Sequence, residues 1–514
     1  MERPAWNLFT GTLTKYAFLF ISIVIGIFLM PFTMRHLGTA EYGLWMLAAS
    51  MTAYVQLLDL GYGNGLVRQV TQADARRNED EMNVILSTFV VVYGGIGMLA
   101  LAGVAALALF LVPRFPNLTP EQVLTAQWVL AILGVRAGVA FPMSVFGAVN
   151  TARQRFALTS SIAIVVTVLQ AVATYLVLSA GYGLVTLVMA TTSLGLASYL
   201  AYAIAAWRTF PGMRLSVWRF STRQVREVTA FSAYVFLITI AIQLGYNMDN
   251  LVIGALAGTS AVAVYAVAFR LADYQRQLCN QFNGLLFPVV VRFDAGDQQA
   301  ALRTTLIDGT RIALGLIVGV TVCLVAFAAP LVRVWMGPGF DGSLAPLYAL
   351  AAAGVVLVGA GPLGNILLAR GRQRLVAFSC LAEAIVNLGL TILLVRRFGI
   401  VGAALGTLVA VTMSNVFVQM PAACRLLGVP VTAFLRQVAL PALIAALPAA
   451  LVAWWLQVSV EAASVLDVIG RGAVVGLVYL LAFVSVGLGR TERSRYLGSV
   501  RSVTNAALRA REAV

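Results

Sequence analysis

The sequence predicts an all-α polytopic membrane protein with about fourteen transmembrane helices, arranged as two parallel six-helix lobes plus two C-terminal helices. Three observations predict this class: the composition, apolar runs of spanning length, and an internal duplication. Of 514 residues, 61% are hydrophobic and only 11% are charged, whereas a soluble globular protein carries about 25% charged residues. The mean hydropathy of +0.91 also excludes disordered, collagen-like and disulfide-rich secreted proteins.

The transmembrane helices are predicted from apolar runs, since a helix needs about 20 apolar residues to cross a bilayer core. The first run is too long for a removable signal peptide, and it lacks a small-residue cleavage site. The fourteen runs lie at residues 8–32, 42–66, 84–112, 123–150, 157–179, 184–207, 228–256, 261–290, 311–334, 346–369, 375–395, 400–423, 438–457 and 467–488.

The basic residues predict the direction of insertion. The net charge is +15, and with a cytoplasmic N-terminus 25 of the 35 Lys and Arg residues fall in inside segments, five in outside segments and five within spans. This bias is what the positive-inside rule predicts. Both termini are therefore predicted to be cytoplasmic. The excess basic residues are predicted to contact the anionic headgroups of membrane lipids rather than nucleic acid.

A duplication is predicted from short matches about 220 residues apart. Gly38-Thr39 follows the first span, and Gly258-Thr259 follows the seventh. Two further matches keep the order at nearly the same spacing: Pro142 with Pro362, and Arg153-Gln154-Arg155 with Arg372-Gln373-Arg374. Because six spans per repeat is an even number, both halves enter the membrane in the same direction, which is one of the repeat geometries of secondary transporters.

The duplication also predicts the domain organisation. The four segments are an N-lobe at 1–207, a C-lobe at 228–424, an extra helix pair at 438–488 and a basic cytoplasmic tail at 489–514.

The chain offers few groups for catalysis. His36 is the single histidine and Lys15 the single lysine, and there is no glycine-rich phosphate loop followed by Lys-Ser or Lys-Thr. The four cysteines show no metal-ligand spacing. The sequence therefore predicts that the protein is not an enzyme, that it uses no cofactor, and that ATP is not its direct energy source.

The eighth span is the richest in charge. Arg270, Asp273 and Arg276 fall within about a third of the helix circumference at 100° per residue. Charges within spans are costly and mark either a pathway or a pair. The sequence allows two interpretations: a self-neutralising Arg–Asp–Arg ladder that joins helices, or a cavity wall on which one arginine pairs with Asp273 and another meets an anion.

Three more charged residues lie within spans. Lys15 is either a cavity cation or a residue whose side chain reaches the cytoplasmic interface. Arg136 either pairs with a neighbour such as Asp59 or contacts the substrate. For Asp59 itself, the role of counter-ion in a polar cavity is favoured.

The seventh span carries two polar faces. Gln243, Asn247 and Asn250 cluster on one side, where such side chains line a cavity or join helices. Asp249 points roughly 100° away from Asn250. Glu383 and Asn387, four residues apart on the eleventh span, share one face. Oxygen donors of this kind suit a monovalent cation or a proton, and the alternative is a protonated buried acid bonded to its neighbours.

Two segments resemble a known family. Phe28–Trp45, with Leu58-Asp59 and Gly61 after it, is similar to the N-terminal signature of bacterial polysaccharide (O-antigen-type) flippases. Asn247–Gly254, with Tyr265 and Arg270, resembles the second half of the same proteins. They belong to the multidrug/oligosaccharidyl-lipid/polysaccharide exporter superfamily, and the likeness covers nearly the whole chain.

The resemblance implies a lipid-linked oligosaccharide flippase of the bacterial inner membrane. Its substrate would be an undecaprenyl-pyrophosphate-linked repeat unit, moved from the cytoplasmic to the periplasmic leaflet by alternating access, with a polysaccharide polymerase as a further partner. The implied cavity cations are Lys15, Arg136, Arg270 and Arg276. By likeness to lipid II flippases, the ion-coupling residues, for Na⁺ or H⁺, are Asp249, Glu383, Asn387 and Thr407.

Two other functions fit the same architecture. A cation-coupled multidrug exporter would need an acidic, aromatic-lined cavity, and the excess of basic over acidic residues in the spans argues against it. A scaffold of envelope polysaccharide assembly would depend on the tail after Arg490 rather than on charges within the spans.

Overall fold

The computed structural model of the chain describes residues 3–459 and 464–487, and every regular element in this part is helical. The first seven α-helices are α1 (Arg3–Ala53), α2 (Tyr62–Ala75), α3 (Glu79–Ala106), α4 (Pro120–Ala152), α5 (Phe156–Ser179), α6 (Leu184–Thr209) and α7 (Thr222–Ala257). The next are α8 (Thr259–Ala295), α9 (Gln299–Ala326), α10 (Ala328–Trp335), α11 (Leu344–Ala369), α12 (Gln373–Phe398), α13 (Ile400–Ser414), α14 (Met420–Leu427), α15 (Val431–Ser459) and α16 (Val465–Gly487).

These helices make the chain a multi-pass membrane protein, as predicted. Within the described residues, twelve helices are long and apolar enough to cross a membrane. One of these twelve, Leu13–Asp59, covers most of the first two predicted spans, since α1 continues from one to the other across a kink at Gly38. The charged helix α8 is not among the twelve, although at 37 residues it is long enough. The predicted number of about fourteen is compatible with this arrangement.

Two predicted spans differ from the structure by more than a shift of their ends. The span predicted at 311–334 begins earlier, since α9 starts at Gln299, and α10 follows it as a separate short helix. The span predicted at 42–66 contains a glycine cluster, Gly61, Gly63 and Gly65, which the sequence predicts to be a break in the helix. Leu60 and Gly61 adopt left-handed conformations that interrupt the helix, and α2 then continues to Ala75.

The described chain divides into two compact units. One comprises the described residues within 1–267 and 377–410, and the other comprises those within 268–376 and 411–514. In the second unit, α15 and α16 pack with α9 through Ala445, Ala449, Val475 and Tyr479. The predicted tail at 489–514 lies outside the described residues, and the predicted lobe boundaries stay a prediction.

The backbone contains repeat-related bends. Gly38 has φ 79° and ψ 166°, and Gly258, 220 residues later, has φ 85° and ψ 171°. This region of backbone conformation is essentially restricted to glycine. A second pair follows the same spacing, since Arg77 and Asp297 have φ values of 55° and 48° just after α2 and α8. The duplication is thus visible in the conformation of the chain.

Each repeat also carries an ion pair at an equivalent helix end. Arg153 contacts Asp74 at 2.9 Å, and Arg370 contacts Asp294 at 2.9 Å. Both arginines follow the last residue of their helix. The backbone hydrogen bonds that end α4 are reproduced at the end of α11. These bonds align Arg153-Gln154-Arg155 with Arg370-Gly371-Arg372, so the Arg-Gln-Arg match read from the sequence is two residues out of register.

Small residues allow close helix crossings in the first unit. A Cβ added at Gly97 would lie 2.3 Å from the carbonyl oxygen of Gly138, and one at Gly43 would lie 1.8 Å from that of Thr259. Membrane helices commonly use such residues to bring their backbones together. These two crossings join α3 to α4, and α1 to the start of α8.

Candidate functional site

Asp249, on α7, lies at the centre of a buried polar cluster in the first unit. Its side chain is 3% exposed. Tyr265, from the part of α8 that belongs to the same unit, donates its phenolic hydrogen to Asp249 Oδ2 at 2.6 Å. No Lys or Arg pairs with Asp249 among the residues that the structure describes. The carboxylate is therefore buried without a compensating cation.

Two threonines and an asparagine complete the cluster. Thr391 Oγ1 lies 3.2 Å from Asp249 Oδ1, and Thr407 Oγ1 lies 3.2 Å from Asp249 Oδ2. Both hydroxyls also lie 3.3 Å from Asn387 Oδ1. Asn387 and Thr391 are one turn apart on α12, and Thr407 is on α13. Five side chains from four helices thus direct oxygen atoms to one place.

The threonine hydroxyl groups make more close contacts to acceptor oxygens than they have hydrogens to donate. Thr407 Oγ1 also approaches the carbonyl oxygen of Ala403 at 3.2 Å. Each threonine hydroxyl carries one hydrogen, so two hydrogens serve five oxygen contacts of 3.2–3.3 Å. The excess of acceptors suits a small cation, or a proton on the carboxyl group of Asp249. With one carboxylate in the set, a monovalent cation matches the charge better than a divalent one.

A tight hairpin positions the α12 and α13 residues. Gly399 has φ 56° between the two helices, and a Cβ added at Gly402 would lie 2.3 Å from the backbone of Leu394. One turn further along α13, a Cβ added at Gly406 would lie 3.0 Å from Thr391 Oγ1. The two glycines let α13 approach α12 closely enough for Thr391 and Thr407 to share Asn387.

Glu383 is the one predicted ion-coupling residue that the structure does not bring to Asp249. The hydrogen bonds that join Asp249, Asn387 and Thr407 do not include Glu383, which is itself engaged with its surroundings. Asn387 lies between Glu383 and Thr391, so Glu383 is about 12 Å along the helix from Thr391. On α12, the residue that joins Asn387 at the cluster is Thr391.

The charged stripe of α8 has a different arrangement. Asp273 accepts a hydrogen bond from Arg276 at 3.2 Å on one oxygen and from Gln277 at 2.7 Å on the other. Arg270 lies 5.9 Å from the ring centroid of Tyr274 and has no carboxylate partner in the described part of the chain. One arginine is thus engaged by Asp273, and the other is not.

The remaining predicted cations have separate surroundings. The guanidinium of Arg136 packs on α6, where a Cβ added at Gly195 would lie 3.2 Å from it, and no described carboxylate pairs with it. Lys15 is exposed, with its ammonium 4.6 Å from the ring centroid of Phe156. Phe156 is the first residue of α5, so the Lys15 ammonium lies beside the N-terminal end of that helix. This position favours the interfacial interpretation of Lys15.

Asp59 stabilises the break between α1 and α2. Its Oδ1 accepts a hydrogen bond from the Tyr93 hydroxyl at 2.7 Å, and its Oδ2 accepts one from the backbone N–H of Gly63 at 3.2 Å. The predicted pairing with Arg136 is not present among the described ion pairs. Asp59 instead satisfies an N–H group at the start of α2 that has no partner within the helix.

The predicted polar face of α7 contacts the end of α1 and the turn after it. Gln243 donates to Gln56 at 3.1 Å, and Asn250 donates to Ser50 at 2.9 Å. Asn247 donates to Gln243 at 2.8 Å. These contacts place the three predicted residues in one seam between helices of the two repeats, within the first unit.

Sequence reasoning did not assign Thr391 and Tyr265 to the ion site. Thr391 is four residues after Asn387, so a helical-face argument applied to the hydroxyl residues of the eleventh span would have found it. Tyr265 was noted only as part of a family motif. Its contact with Asp249 depends on the turn at Gly258, which reverses the chain between α7 and α8.

Known proteins resemble the chain in sequence and in fold. The uncharacterized membrane protein EpsK of Bacillus subtilis (strain 168) is 24% identical, covering 97% of this chain and 98% of EpsK. The probable low-salt glycan biosynthesis flippase Agl15 of Haloferax volcanii is 22% identical over 38% of this chain and 42% of Agl15. The lipid II flippase MurJ, in an inward closed conformation, has the same fold, with a TM-score of 0.70 and 14% identity over 92% of this chain and 98% of MurJ.

The family model for polysaccharide biosynthesis proteins matches residues 11–294. That range includes Asp249 and Tyr265, and it ends at Asp294, the acidic partner of the second repeat's ion pair. The family and the fold are those of membrane transporters rather than catalytic enzymes. The chain therefore belongs to the polysaccharide biosynthesis protein family of membrane transporters.

Proposed function

We propose that the protein is a flippase for undecaprenyl-pyrophosphate-linked oligosaccharides, working by alternating access in the inner membrane of a bacterium. Both termini are cytoplasmic in this proposal, and a polysaccharide polymerase is the partner that uses the translocated unit. The family supports the polysaccharide context, and the flippase name of Agl15 supports the reaction. The distribution of basic residues supports the orientation.

The observation that carries the substrate class is the state of the arginines within the spans. Arg136 and Arg270 have no carboxylate partner among the described residues, whereas Arg276 is engaged by Asp273 and Arg471 by Asp467 at 2.8 Å. An unpaired guanidinium within a membrane is costly. A diphosphate offers paired oxygens that match its paired donors. Arg136 in the first unit and Arg270 in the second unit are therefore each a candidate phosphate ligand.

The test replaces these arginines in a strain that depends on the protein for surface polysaccharide. We expect Arg136→Ala and Arg270→Ala to abolish polymer export, and Arg270→Lys to retain part of it, because Lys keeps the charge without the paired donors. Arg471→Ala is the matched control, since that arginine is already ion-paired. All variants are compared at equal membrane abundance. Normal export in both alanine variants contradicts the proposed substrate site.

We propose further that the Asp249 cluster binds the coupling ion, Na⁺ or H⁺. The uncompensated carboxylate and the excess of oxygen acceptors support this assignment. The direct test measures the thermal stability of the purified protein in NaCl and in KCl across pH. Stabilisation by Na⁺ that is absent in Asp249→Asn indicates a sodium site. Equal stability in both salts, with transport driven by a pH gradient alone, indicates a proton.

A further inference from the structure

A polar cavity of about 560 Å³ lies between α2 and the starts of α3 and α7, away from Asp249. Its volume is within the roughly 300–1,000 Å³ range of small-molecule sites. One face of α2, from Gly65 to Arg76, forms a wall about 16 Å long at 1.5 Å per residue. Every lining residue belongs to the first unit.

The lining is unusually polar for a ligand cavity. Most small-molecule sites are lined chiefly by apolar side chains, but nine of the thirteen residues here carry a charge or an amide. The nine are Arg68, Gln69, Gln72, Arg76, Asn78, Glu81, Arg223, Gln224 and Glu227. Such a lining favours a ligand that forms many hydrogen bonds.

Two of the three arginines in the lining are paired with its two glutamates. Arg223 pairs with Glu227 at 2.8 Å, and this carboxylate raises the pKa of the guanidinium above its ordinary value. Arg76 lies 3.6 Å from Glu81. Arg68 is also engaged in contacts with its surroundings. The cavity therefore lacks the unpaired cations that a pyrophosphate would need.

The amides, in contrast, have unused capacity. Gln69 donates a long hydrogen bond of 3.4 Å to Glu227, while its own Oε1 is buried and accepts none. Gln72 and Gln224 add donors and acceptors to the same lining. Gln69 Oε1 is enclosed by protein and out of reach of a ligand in the cavity, so the amides that a ligand can reach include those of Gln72 and Gln224, which can donate to a hydroxyl group and accept from it. Sugar hydroxyls both donate and accept, as this mixture of amides and carboxylates requires.

We infer that this cavity is a glycan-binding site, which receives sugar residues of the lipid-linked substrate on the cytoplasmic side before translocation. The inference rests on the proposed function and on the proposed orientation, which places the loops containing Arg76 and Arg223 inside the cell. The site recognises hydroxyl groups, whereas the pyrophosphate is held elsewhere. The glycan and the diphosphate are thus bound by different groups of the protein.

The test uses purified protein and native mass spectrometry with two probes. One is undecaprenyl pyrophosphate carrying the host's own repeat unit, and the other is undecaprenyl pyrophosphate without sugar. We expect the wild type to bind the glycosylated lipid at least about tenfold more tightly, and the double variant Gln69→Ala/Gln224→Ala to lose this difference. A second variant, Gln72→Trp, fills the cavity from an exposed position and should have the same effect.

The control is Gln298→Ala/Gln299→Ala, which removes two exposed amides at the start of α9, the repeat-related position to the start of α3. It should bind both probes like the wild type. If the glycan preference persists in both cavity variants, or if the wild type shows none, the glycan site is wrong while the flippase proposal stands. If the wild type binds neither lipid, the proposed function is overturned and this inference with it.

Discussion

Asp249 and Asp273 are both carboxylates within predicted spans, yet their surroundings differ in kind. Asp273 accepts from a guanidinium and an amide, both on its own helix. Asp249 receives only hydroxyl groups, from α8, α12 and α13. One carboxylate is neutralised locally, whereas the other gathers oxygen atoms from several helices and has no described cation beside it.

The difference shows how two acids in the same kind of sequence acquire different roles. A carboxylate that pairs with its own helix stabilises that helix whatever its neighbours do. A buried, uncompensated carboxylate is costly unless a proton or a cation joins it. It therefore couples the packing of its helices to the occupancy of the site. The comparison predicts that Asp249 controls transport, and that Asp273 controls stability.

The largest expected effect separates the two acids directly. In Asp249→Asn we expect ion-dependent transport to fall about 100-fold, corresponding to roughly 2.7 kcal/mol of lost cation binding. In Asp273→Asn the side chain can still accept the hydrogen bond from the Gln277 amide. This variant should retain at least about a third of the activity. Transport into proteoliposomes under an imposed sodium or pH gradient measures both. Equal losses in the two variants would remove the distinction.

The second effect concerns stability at the α8 pair. Arg276→Ala should destabilise the protein by about 2–3 kcal/mol, because it leaves Asp273 largely buried without its cation. The double variant Asp273→Asn/Arg276→Ala should recover most of this loss. Thermal unfolding in detergent, followed by loss of the monodisperse peak, measures the order of the three proteins. A double variant less stable than Arg276→Ala contradicts the pairing.

A smaller effect is expected from the glycine beside the cluster. In Gly406→Ala the added methyl group would meet Thr391 Oγ1 at 3.0 Å, and we expect ion affinity to fall about tenfold, or roughly 1.4 kcal/mol. Gly389→Ala on α12 is the matched control, since nothing lies within 4 Å of its added Cβ. The shift of melting temperature with ion concentration gives both affinities. Equal affinities in the two variants would show that the close packing at Gly406 is unimportant.

The smallest effect tests a single hydroxyl group. Thr391→Val should weaken ion binding about three- to tenfold, because it removes one neutral oxygen of the set, worth roughly 0.5–1.5 kcal/mol. Thr391→Ser keeps the oxygen and should bind like the wild type. The same thermal titration serves here. If serine fails as valine does, then the methyl group rather than the hydroxyl matters at this position.

Much of the fold was predictable because spanning helices are specified locally. Their apolar length is set by the bilayer, and the duplication follows from matched sequence positions. The bounds of α9 were not predicted, because polar first turns leave a weak signal in hydropathy. The glycine cluster after Leu60 did indicate a break, but the continuation of the chain as a helix to Ala75 was not predicted. The register of the second Arg-x-Arg motif depended on backbone hydrogen bonds that short matches do not encode.

The site was predictable in part. Charge alone singled out Asp249, and shared helical faces led to Asn387, but which turn of α12 meets α7 depends on the packing of three helices. Glu383 has an ionisable carboxyl group, whereas Thr391 has only a neutral hydroxyl group. An argument from charge therefore selected Glu383 as the ion-site residue. Hydroxyl residues are common in membrane helices, which makes them poor markers until their neighbours are known.

The two bends at Gly38 and Gly258 have one further consequence. A methyl group added to either glycine would meet nothing within 4 Å, so there is ample space for a larger residue. The obstacle is the handedness of the backbone, since an L-amino acid is disfavoured at these dihedral angles. Alanine there should impair insertion and assembly without any steric clash, and changes in neighbouring side chains should not rescue it. The two bends are thus specified by the chirality of the backbone rather than by side-chain contacts. Substitutions at neighbouring positions should therefore leave them unchanged.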